Sequence, residues 1–296
     1  MIRFALFGAG KIGRMHAANL AGHKKTELRW VYDINQATGD EVAATFGARS
    51  CNSTEAPLSD PEVDAVLIAT STDTHASLIV ESAKAGKAVF CEKPIDLSLE
   101  KVNRCSDQIK NYDVPIQIGF NRRFDPSHRK VAQAVQNGEI GNLEQVIITS
   151  RDPEPPPKEY YLVAGGMLRD MTIHDFDMAR YIAGKQVKEV FAKGAVMVDP
   201  EIGKAGDIDT AVITLTFEDD TMAVIDNCRK AVYGYDQRLE VFGSKGMAQA
   251  ENNFPNNHKL YTESGISGDL PLHFFLERYD ASYNQEIREF IDALVS

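Results

Sequence analysis

Short apolar runs alternate with helical patterns over about the first 120 residues of the chain. The apolar runs predict the strands Arg3–Gly8, Leu28–Asp33, Ala65–Thr70, Ala88–Cys91 and Ile116–Asn121. Apolar residues at helical spacing between them predict the helices Lys11–Ala21, Gln36–Phe46, Thr74–Ala85 and Ser98–Tyr112. Because the strands are nearly continuous in apolar residues, we expect helices on both faces of the sheet. The pattern therefore predicts an α/β fold with a doubly wound parallel sheet at the N-terminus.

The pattern changes after about Arg123. A helix over Pro126–Asn137 precedes longer strands, predicted at Leu143–Arg151, Val187–Val198, Asp207–Glu218, Met222–Lys230 and Arg238–Phe242. Apolar and polar residues alternate along Asp209–Phe217, which predicts that one face of that strand is buried and the other is more exposed to solvent. We therefore predict a first domain over residues 1–122. A second, α+β domain built on a large, mostly antiparallel sheet follows over residues 123–296.

Composition and charge narrow the possible partners. Lys and Arg number 32 against 43 Asp and Glu, which gives a net charge of −11. Nucleic acids and anionic membranes need a basic footprint, so neither is an expected partner. A small neutral substrate, or an anion in one local pocket, remains compatible with this charge.

Cysteine usage and hydropathy bear on the compartment. Cys51, Cys91, Cys105 and Cys228 are far apart, and no spacing of Cys and His suits zinc, so we predict reduced thiols and no metal. The first residues lack the pattern of a signal peptide, and no apolar run approaches the ~18 residues of a membrane span. These features predict a soluble, cytoplasmic protein.

A glycine loop follows the first strand and opens the first helix. In Gly8-Ala-Gly10-Lys11-Ile12-Gly13, the first glycine permits the tight turn, and the second lets the backbone approach a pyrophosphate. Gly13 lets helix and strand pack closely, and amides at the helix start, including those of Lys11 and Ile12, bind phosphate oxygens. The pattern predicts a Rossmann dinucleotide site, with a glycine-rich turn that binds nothing as the alternative.

Asp33 ends the next strand, 20 residues after Gly13. A carboxylate there accepts hydrogen bonds from ribose hydroxyls and repels a 2′-phosphate. Ile34 and Asn35 follow it and offer no arginine for that phosphate, so NAD is favoured over NADP. Asp33 can also cap the following helix, and one carboxylate can serve both purposes.

Two further segments carry candidate catalytic groups. Glu92-Lys93-Pro94 closes a buried strand, at the sheet edge where α/β proteins bind ligands. Asp170 and His174 are four residues apart, which predicts that both project from one face of a helix, with Asp177 on the same stripe. Oxidation of an alcohol needs a base for the hydroxyl proton, and histidine suits that role. A lysine ammonium can hold the substrate oxygen, although an ordinary surface Asp–His pair is the alternative.

These motifs, with Gly119-Phe-Asn-Arg-Arg-Phe124, Ser150-Arg-Asp-Pro-Glu-Pro-Pro-Pro157 and Ala231-Val-Tyr-Gly-Tyr-Asp-Gln-Arg238, resemble the glucose–fructose oxidoreductase / inositol dehydrogenase / rhizopine-catabolism family over nearly the whole chain. The likeness is strongest to inositol 2-dehydrogenases. It implies a Rossmann domain, an α/β domain whose open sheet forms an oligomer interface, and commonly a tetramer.

The resemblance also implies roles for individual residues. Lys93 and His174 act at the reacting carbon, with His174 as proton acceptor and Asp170 tuning it. The residues implied to line the polyol pocket are Arg123, Asp152, Asp177 and Tyr233. Those implied to lie near the cofactor, beyond the glycine loop and Asp33, are Thr70, Ser71, Thr72, His75, Glu92 and Lys93, although His75 suits a helix start equally well.

Two departures from the family pattern stand out. Some inositol dehydrogenases have a histidine and an asparagine where this chain has Arg151-Asp152-Pro153, which leaves the isomer and ring position open. The chain stops at Ser296, within an amphipathic helix begun near Ser282, where family members continue. We expect that helix to be truncated or to return to the first domain.

The sequence therefore predicts NAD-dependent oxidation of a ring hydroxyl of myo-inositol, or of a close isomer, to the keto-inositol. The alternatives are an NAD-dependent dehydrogenase of another sugar or polyol, and a non-catalytic NAD-binding regulator. The expected partners are a small polyol substrate and further copies of the chain.

Overall fold

The computed structural model describes residues 1–161 and 163–296. By their internal contacts these residues form two compact units, one of residues 1–120 with 283–296 and one of residues 121–282. The sequence placed the boundary after residue 122. Among the described residues, no helix combines the length and apolar character that crossing a membrane requires.

The first unit contains a six-stranded parallel sheet with helices between its strands. Its elements are β1 (Ile2–Phe7), α1 (Lys11–Gly22), β2 (Thr26–Tyr32), α2 (Gln36–Phe46), β3 (Arg49–Cys51), α3 (Glu55–Ser59), β4 (Ala65–Ile68), α4 (Thr72–Lys84), β5 (Ala88–Glu92), α5 (Leu99–Ile109) and β6 (Ile116–Gly119). The strand order is β3-β2-β1-β4-β5-β6, and every pairing is parallel. Apolar clusters cover both faces of the sheet. This confirms the predicted Rossmann-type sheet, whose order reverses between β1 and β4.

The second unit is built on a six-stranded mixed sheet. After a 3-10 turn (Asn121–Phe124), its elements are α6 (Pro126–Gln136), β7 (Leu143–Arg151), α7 (Lys158–Tyr161), α8 (Met167–Asp170), α9 (Ile173–Ala183), β8 (Val187–Ala195), α10 (Pro200–Lys204), β9 (Thr210–Phe217), β10 (Met222–Cys228), β11 (Asp236–Gly243), β12 (Gly246–Ala250), β13 (Leu260–Thr262), β14 (Gly265–Ser267) and α11 (Phe275–Arg278). The order is β12-β11-β7-β10-β9-β8, with only the β7–β10 pairing parallel. The predicted mostly antiparallel sheet is therefore confirmed.

The last helix, α12, spans Asp280–Val295. Its apolar face contributes Ile287, Phe290 and Ile291 to the core of the first unit. The Phe290 ring lies 6.3 Å from that of Phe4 and 5.8 Å from that of Phe90. This C-terminal segment therefore belongs to the first unit by its packing.

The prediction that Asp170 and His174 share one helix is wrong. Asp170 ends α8, and His174 lies in the first turn of α9. Between the two helices, the Thr172 N–H donates to the Met167 carbonyl, five residues back, whereas the His174 and Asp175 N–H groups bond three residues back. This switch interrupts the regular helical ladder and changes the angle between successive side chains, so the four-residue spacing no longer implies one face.

Candidate active site

The glycine loop has the backbone geometry that its sequence predicts. Gly8 has φ of +92°, and a Cβ there would meet the Ala69 carbonyl oxygen at 2.4 Å. A Cβ on Gly13 would meet the Gly8 carbonyl oxygen at 1.9 Å, so α1 packs directly on the loop. Gly10, in contrast, faces open space, and no side chain caps the start of α1. The loop therefore leaves room beside the helix N-terminus, where backbone amides attract anions.

Asp33 is tied to this loop by its carboxylate. It accepts hydrogen bonds from the backbone N–H of Ala9 at 2.7 Å and from that of Asn35 at 2.8 Å. The side chain therefore lies beside the glycine turn, directly after β2, and the N-cap position of α2 is occupied by Asn35. A carboxylate in this position suits the ribose of NAD. The cradle at Gly10 and the carboxylate of Asp33 together fit a dinucleotide, which the loop amides and Asp33 would hold.

Thr70 and Ser71 form the loop after β4, and Thr72 and His75 lie in the first turn of α4. The Thr70 and Thr74 hydroxyl oxygens lie 2.7 Å apart. The buried His75 ring has Nδ1 2.8 Å from the Pro94 carbonyl oxygen and Nε2 3.0 Å from the Thr70 carbonyl oxygen. His75 thus joins the ends of β4 and β5, which favours the structural alternative for its side chain. The cofactor roles of Thr70, Ser71 and Thr72 stay predictions.

Glu92 and Lys93 follow one another at the end of β5. The Glu92 side chain is buried, and its Oε1 lies 2.7 Å from Nε2 of His16. Its carboxyl group therefore points into the protein. The sequence predicted that Glu92 lies near the cofactor and did not predict this internal contact. Lys93 is followed by Pro94 across a cis peptide bond.

In the second unit, Arg229 brings Asp152 and Asp170 together. Its guanidinium donates to the Asp152 carboxylate at 3.3 Å and to the Asp170 carboxylate at 3.1 and 3.2 Å, and the side chain is buried. The Tyr160 hydroxyl donates to the other Asp170 oxygen at 2.8 Å. Burial raises the pKa of Asp152 to about 6, and the neighbouring Asp170 charge adds to the effect while Arg229 opposes it. Two acids that the sequence singled out are therefore neighbours, joined by an arginine that it did not.

A second buried network fixes the start of α9, where His174 lies. Asp175, the next residue, pairs with Arg122, and both side chains are almost completely buried. Asn227 donates to the other Asp175 oxygen at 2.9 Å and accepts from the Thr172 hydroxyl at 2.6 Å. These contacts hold Thr172 and Asp175, which lie on either side of His174 in the sequence. They therefore fix the position of the backbone that carries the candidate base.

Two further predicted pocket residues are paired with each other. Arg123 donates from Nε to the Asp177 carboxylate at 2.8 Å, and its second guanidinium nitrogen contacts the other oxygen. The Arg123 guanidinium also lies 5.1 Å from the centre of the Tyr181 ring. This two-point contact fixes the orientation of both groups.

Tyr233, the last predicted pocket residue, belongs to a different group of contacts. Its hydroxyl donates to Asp236 at 2.6 Å and accepts from Arg151 at 3.0 Å. Burial and the Asp236 contact raise the pKa of Tyr233. The ring remains partly exposed, so an apolar face is available beside a fixed hydroxyl.

Sequence reasoning missed Arg229, Tyr160, Arg122 and Asp175. Arg229 directly follows β10, and an arginine after an apolar strand is a weak signal of an inward-facing charge. Asp175 adjoins His174 in the sequence, but its burial depends on an arginine 53 residues away.

Two family models match the chain. Residues 2–120 match the oxidoreductase family with an NAD-binding Rossmann fold, and residues 128–249 match the GFO/IDH/MocA C-terminal domain. The chain belongs to the GFO/IDH/MocA family of oxidoreductases. The resemblance that the sequence motifs indicated is thereby confirmed, as is the assignment of the first unit to NAD-binding proteins.

Relatives within the family extend over nearly the whole chain. The myo-inositol 2-dehydrogenase of Thermotoga maritima is 49% identical and aligns with 98% of this chain and 87% of its own. The inositol 2-dehydrogenase of Rhizobium meliloti is 46% identical, with 99% of this chain and 88% of its own covered. A solved structure, the scyllo-inositol dehydrogenase of Lactobacillus casei with bound NAD(H) and scyllo-inositol, is 30% identical with a TM-score of 0.92, covering 100% of this chain and 89% of that one.

Proposed function

We propose that this family member oxidises a ring hydroxyl of myo-inositol, or of a close isomer, to the keto-inositol with NAD as oxidant. The observation that carries the proposal is the identity of 46–49% with proteins named inositol 2-dehydrogenases over nearly the whole chain. Lys93, Asp170 and His174 are all present in a chain whose glycine loop and Asp33 fit NAD. When bound, the nicotinamide ring supplies the acceptor for the hydride that leaves the ring carbon.

The roles of the protein groups follow from their chemistry. His174 accepts the proton of the reacting hydroxyl, because neutral imidazole is an effective base near neutral pH. The Lys93 ammonium donates a hydrogen bond to the same oxygen and stabilises the negative charge that develops there. Loss of one proton to His174 and of one hydride to the nicotinamide would convert the secondary alcohol to a ketone, so the reaction needs no water and no co-substrate other than NAD.

Asp170 and Asp152, which are both paired with Arg229, bind the substrate through their carboxylates. The positive guanidinium between them offsets part of the negative charge of two neighbouring carboxylates, so both acids can occupy this partly buried position. Their remaining lone pairs suit the hydroxyls of a polyol. Arg123 with Asp177, and Tyr233, supply further donors and acceptors, in keeping with a substrate that carries a hydroxyl on every ring carbon.

The test is a spectrophotometric assay of NADH formation, with NAD and NADP offered separately. The substrates are myo-inositol, scyllo-inositol and several aldoses. Turnover with NAD and an inositol supports the proposal. Turnover with an aldose alone would favour the sugar dehydrogenase alternative, and NAD binding without turnover on any polyol would favour the non-catalytic regulator.

The proposal includes assembly into a homotetramer through the open face of the second unit's sheet. One face of this sheet packs on the buried core, whereas the other carries Val212, Met222 and Phe242, each about half exposed. On the edge strand β8, Phe191 pairs with Thr214 on this same open face and is 70% exposed. Apolar surface of this extent on a sheet favours burial against another copy. Light scattering of the purified protein gives the mass that decides the assembly.

A cytoplasmic location is also part of the proposal. All four cysteines are free thiols in the structure. Thiols in a chain of this size suit a reducing compartment. Fractionation of the native host, with the protein detected by antibody, tests this location.

A further inference from the structure

Three titratable side chains meet in the interior of the first unit. His16 lies on α1, Glu92 ends β5, and Glu286 lies on α12. Each offers one atom, an imidazole nitrogen or a carboxyl oxygen, within 4.8 Å of the other two. The His16 and Glu286 side chains are fully buried, and Glu92 is nearly so. His16 Nε2 contacts Glu92 Oε1 at 2.7 Å, so two members of the cluster are already hydrogen-bonded.

These contacts do not explain how the carboxyl group of Glu286, the third member of the cluster, is stabilised in the protein interior. Among residues 1–161 and 163–296, no N–H or O–H group donates a hydrogen bond to either carboxyl oxygen of Glu286. An ionised carboxylate without a partner is strongly unfavourable in the protein interior. Such a group commonly stays protonated instead. A neutral acid can also donate a hydrogen bond to a nearby carboxylate, which an ionised one cannot.

The surrounding elements supply little positive charge. His16 is the ionisable group that α1 directs into the cluster, and β6 contributes only Ile116, Gln117, Ile118 and Gly119. The His16 ring otherwise packs edge-on against Phe90 and Tyr283. Within the described part of the chain, no lysine or arginine forms an ion pair with Glu92 or Glu286. At most one positive charge thus faces two carboxyl groups.

We propose that Glu286 is a neutral carboxylic acid in the folded protein and that, together with His16, it fixes Glu92 and the adjoining Lys93 at the end of β5. Burial, with a further contribution from the Glu92 charge, raises the pKa of Glu286 well above its ordinary value. In this arrangement Glu286 is a positioning residue, since it acts through Glu92 and the backbone on Lys93. Only this second part rests on the proposed function, which gives Lys93 its role.

The protonation state can be tested without any activity. At about pH 7, the infrared spectrum of the wild-type protein should contain the carbonyl stretch of a neutral carboxylic acid, and Glu286→Gln should lack that band. Asp292→Asn removes an exposed carboxylate from the same helix and should leave the band intact. Absence of the band from the wild type would overturn the proposal. Stoichiometric metal in the purified protein that disappears in Glu286→Gln would also overturn it, because the cluster would then be a metal site.

The positioning role can be tested by comparing two substitutions of Glu286. Glu286→Leu fills the space without a polar group and should lower kcat roughly tenfold or more, because small displacements of a catalytic group are costly, while KM for NAD changes little. Glu286→Gln, which like the neutral acid can donate a hydrogen bond, should restore most of that loss. Equal kcat in wild type and Glu286→Leu would overturn the positioning role. A wild-type protein that turns over no polyol would overturn the proposed function instead, whereas the infrared band would still decide the state of Glu286.

Discussion

The carboxylate of Asp33 accepts a hydrogen bond of 2.7 Å from the backbone N–H of Ala9, in the middle of the glycine loop. One side chain thus contacts the loop proposed to hold the pyrophosphate and is itself proposed to bind the ribose of the same cofactor. Because the backbone of the loop holds Asp33 in place, its carboxylate is well positioned to discriminate between the 2′-hydroxyl of NAD and the 2′-phosphate of NADP.

The first prediction concerns cofactor choice. Asp33→Asn keeps an oxygen that can accept from Ala9 but removes the charge. Hydrogen bonds to charged groups contribute about 1.5–3 kcal/mol, so KM for NAD should rise roughly 10- to 100-fold. The preference for NAD over NADP should narrow, because the repulsion of the 2′-phosphate is lost. Steady-state kinetics with both cofactors measure the change, and Asp40→Asn on α2 is the matched control. An unaltered preference would remove Asp33 from cofactor recognition.

The second prediction concerns the base. His174→Ala should lower kcat by roughly a hundredfold or more, while the affinity for NADH, measured by fluorescence titration, stays within about twofold. A comparable loss of NADH binding would indicate that the substitution damages the fold and does not act on proton transfer. Unchanged turnover would eliminate His174 as the base.

The sequence predicted the architecture well where burial controls the pattern. The parallel strands β1, β4 and β5 are covered on both faces, so their continuous apolar runs are visible in the sequence. β3, which reads Arg-Ser-Cys, and the hairpin of β13 and β14, which is exposed throughout, lack that signal. These strands form through backbone hydrogen bonds to their neighbours, and such pairing leaves no periodic pattern of apolar residues in the sequence.

The candidate site was predictable in its residue types but not in its contacts. No glycine or proline separates Asp170 from His174, so the sequence gives no reason to end a helix there. The interruption coincides with the bond from Thr172 to Asn227, 55 residues farther along. Arg229 likewise becomes informative only once the fold brings it to Asp152 and Asp170.

The third prediction concerns the pH dependence of substrate binding. Because the pKa of Asp152 is about 6, this acid is ionised at pH 7 and protonated at pH 5. A protonated Asp152 loses acceptor capacity and weakens the Arg229 bridge, so KM for the inositol should rise about tenfold between these pH values. Asp152→Asn should have a raised KM with a flatter pH profile. Asp219→Asn, in an exposed turn, should behave like the wild type. A wild-type KM that stays constant over this range would contradict the assignment.

The fourth prediction concerns the ion pair of Arg122 and Asp175. Removing one partner of a buried pair leaves an uncompensated charge, which typically costs about 3–5 kcal/mol. Arg122→Met should therefore lower the free energy of unfolding by about that amount, as measured by urea denaturation. Lys188→Met, which breaks an exposed pair with Asp220, should change it by less than about 1 kcal/mol. Similar decreases in the free energy of unfolding of the two variants would show that the buried Arg122–Asp175 pair contributes no more to stability than an exposed pair.

The fifth prediction concerns acid stability and rests on His128. Burial lowers the pKa of this imidazole to about 4, opposed in part by the Asp125 carboxylate. The unfolded chain, with an ordinary pKa near 6.5, binds the proton more readily, so the protein loses stability as pH falls from about 6.5 towards 4.

For His128 alone, the loss between pH 7 and pH 5 is about 2 kcal/mol. His128→Gln removes the titrating ring, and its free energy of unfolding should fall less over this range than that of the wild type. Urea titrations at both pH values give the two differences, and His258→Gln, at an exposed position, serves as the control. Equal pH sensitivity in the wild type and His128→Gln would show that the buried imidazole is not the group that makes the fold sensitive to acid.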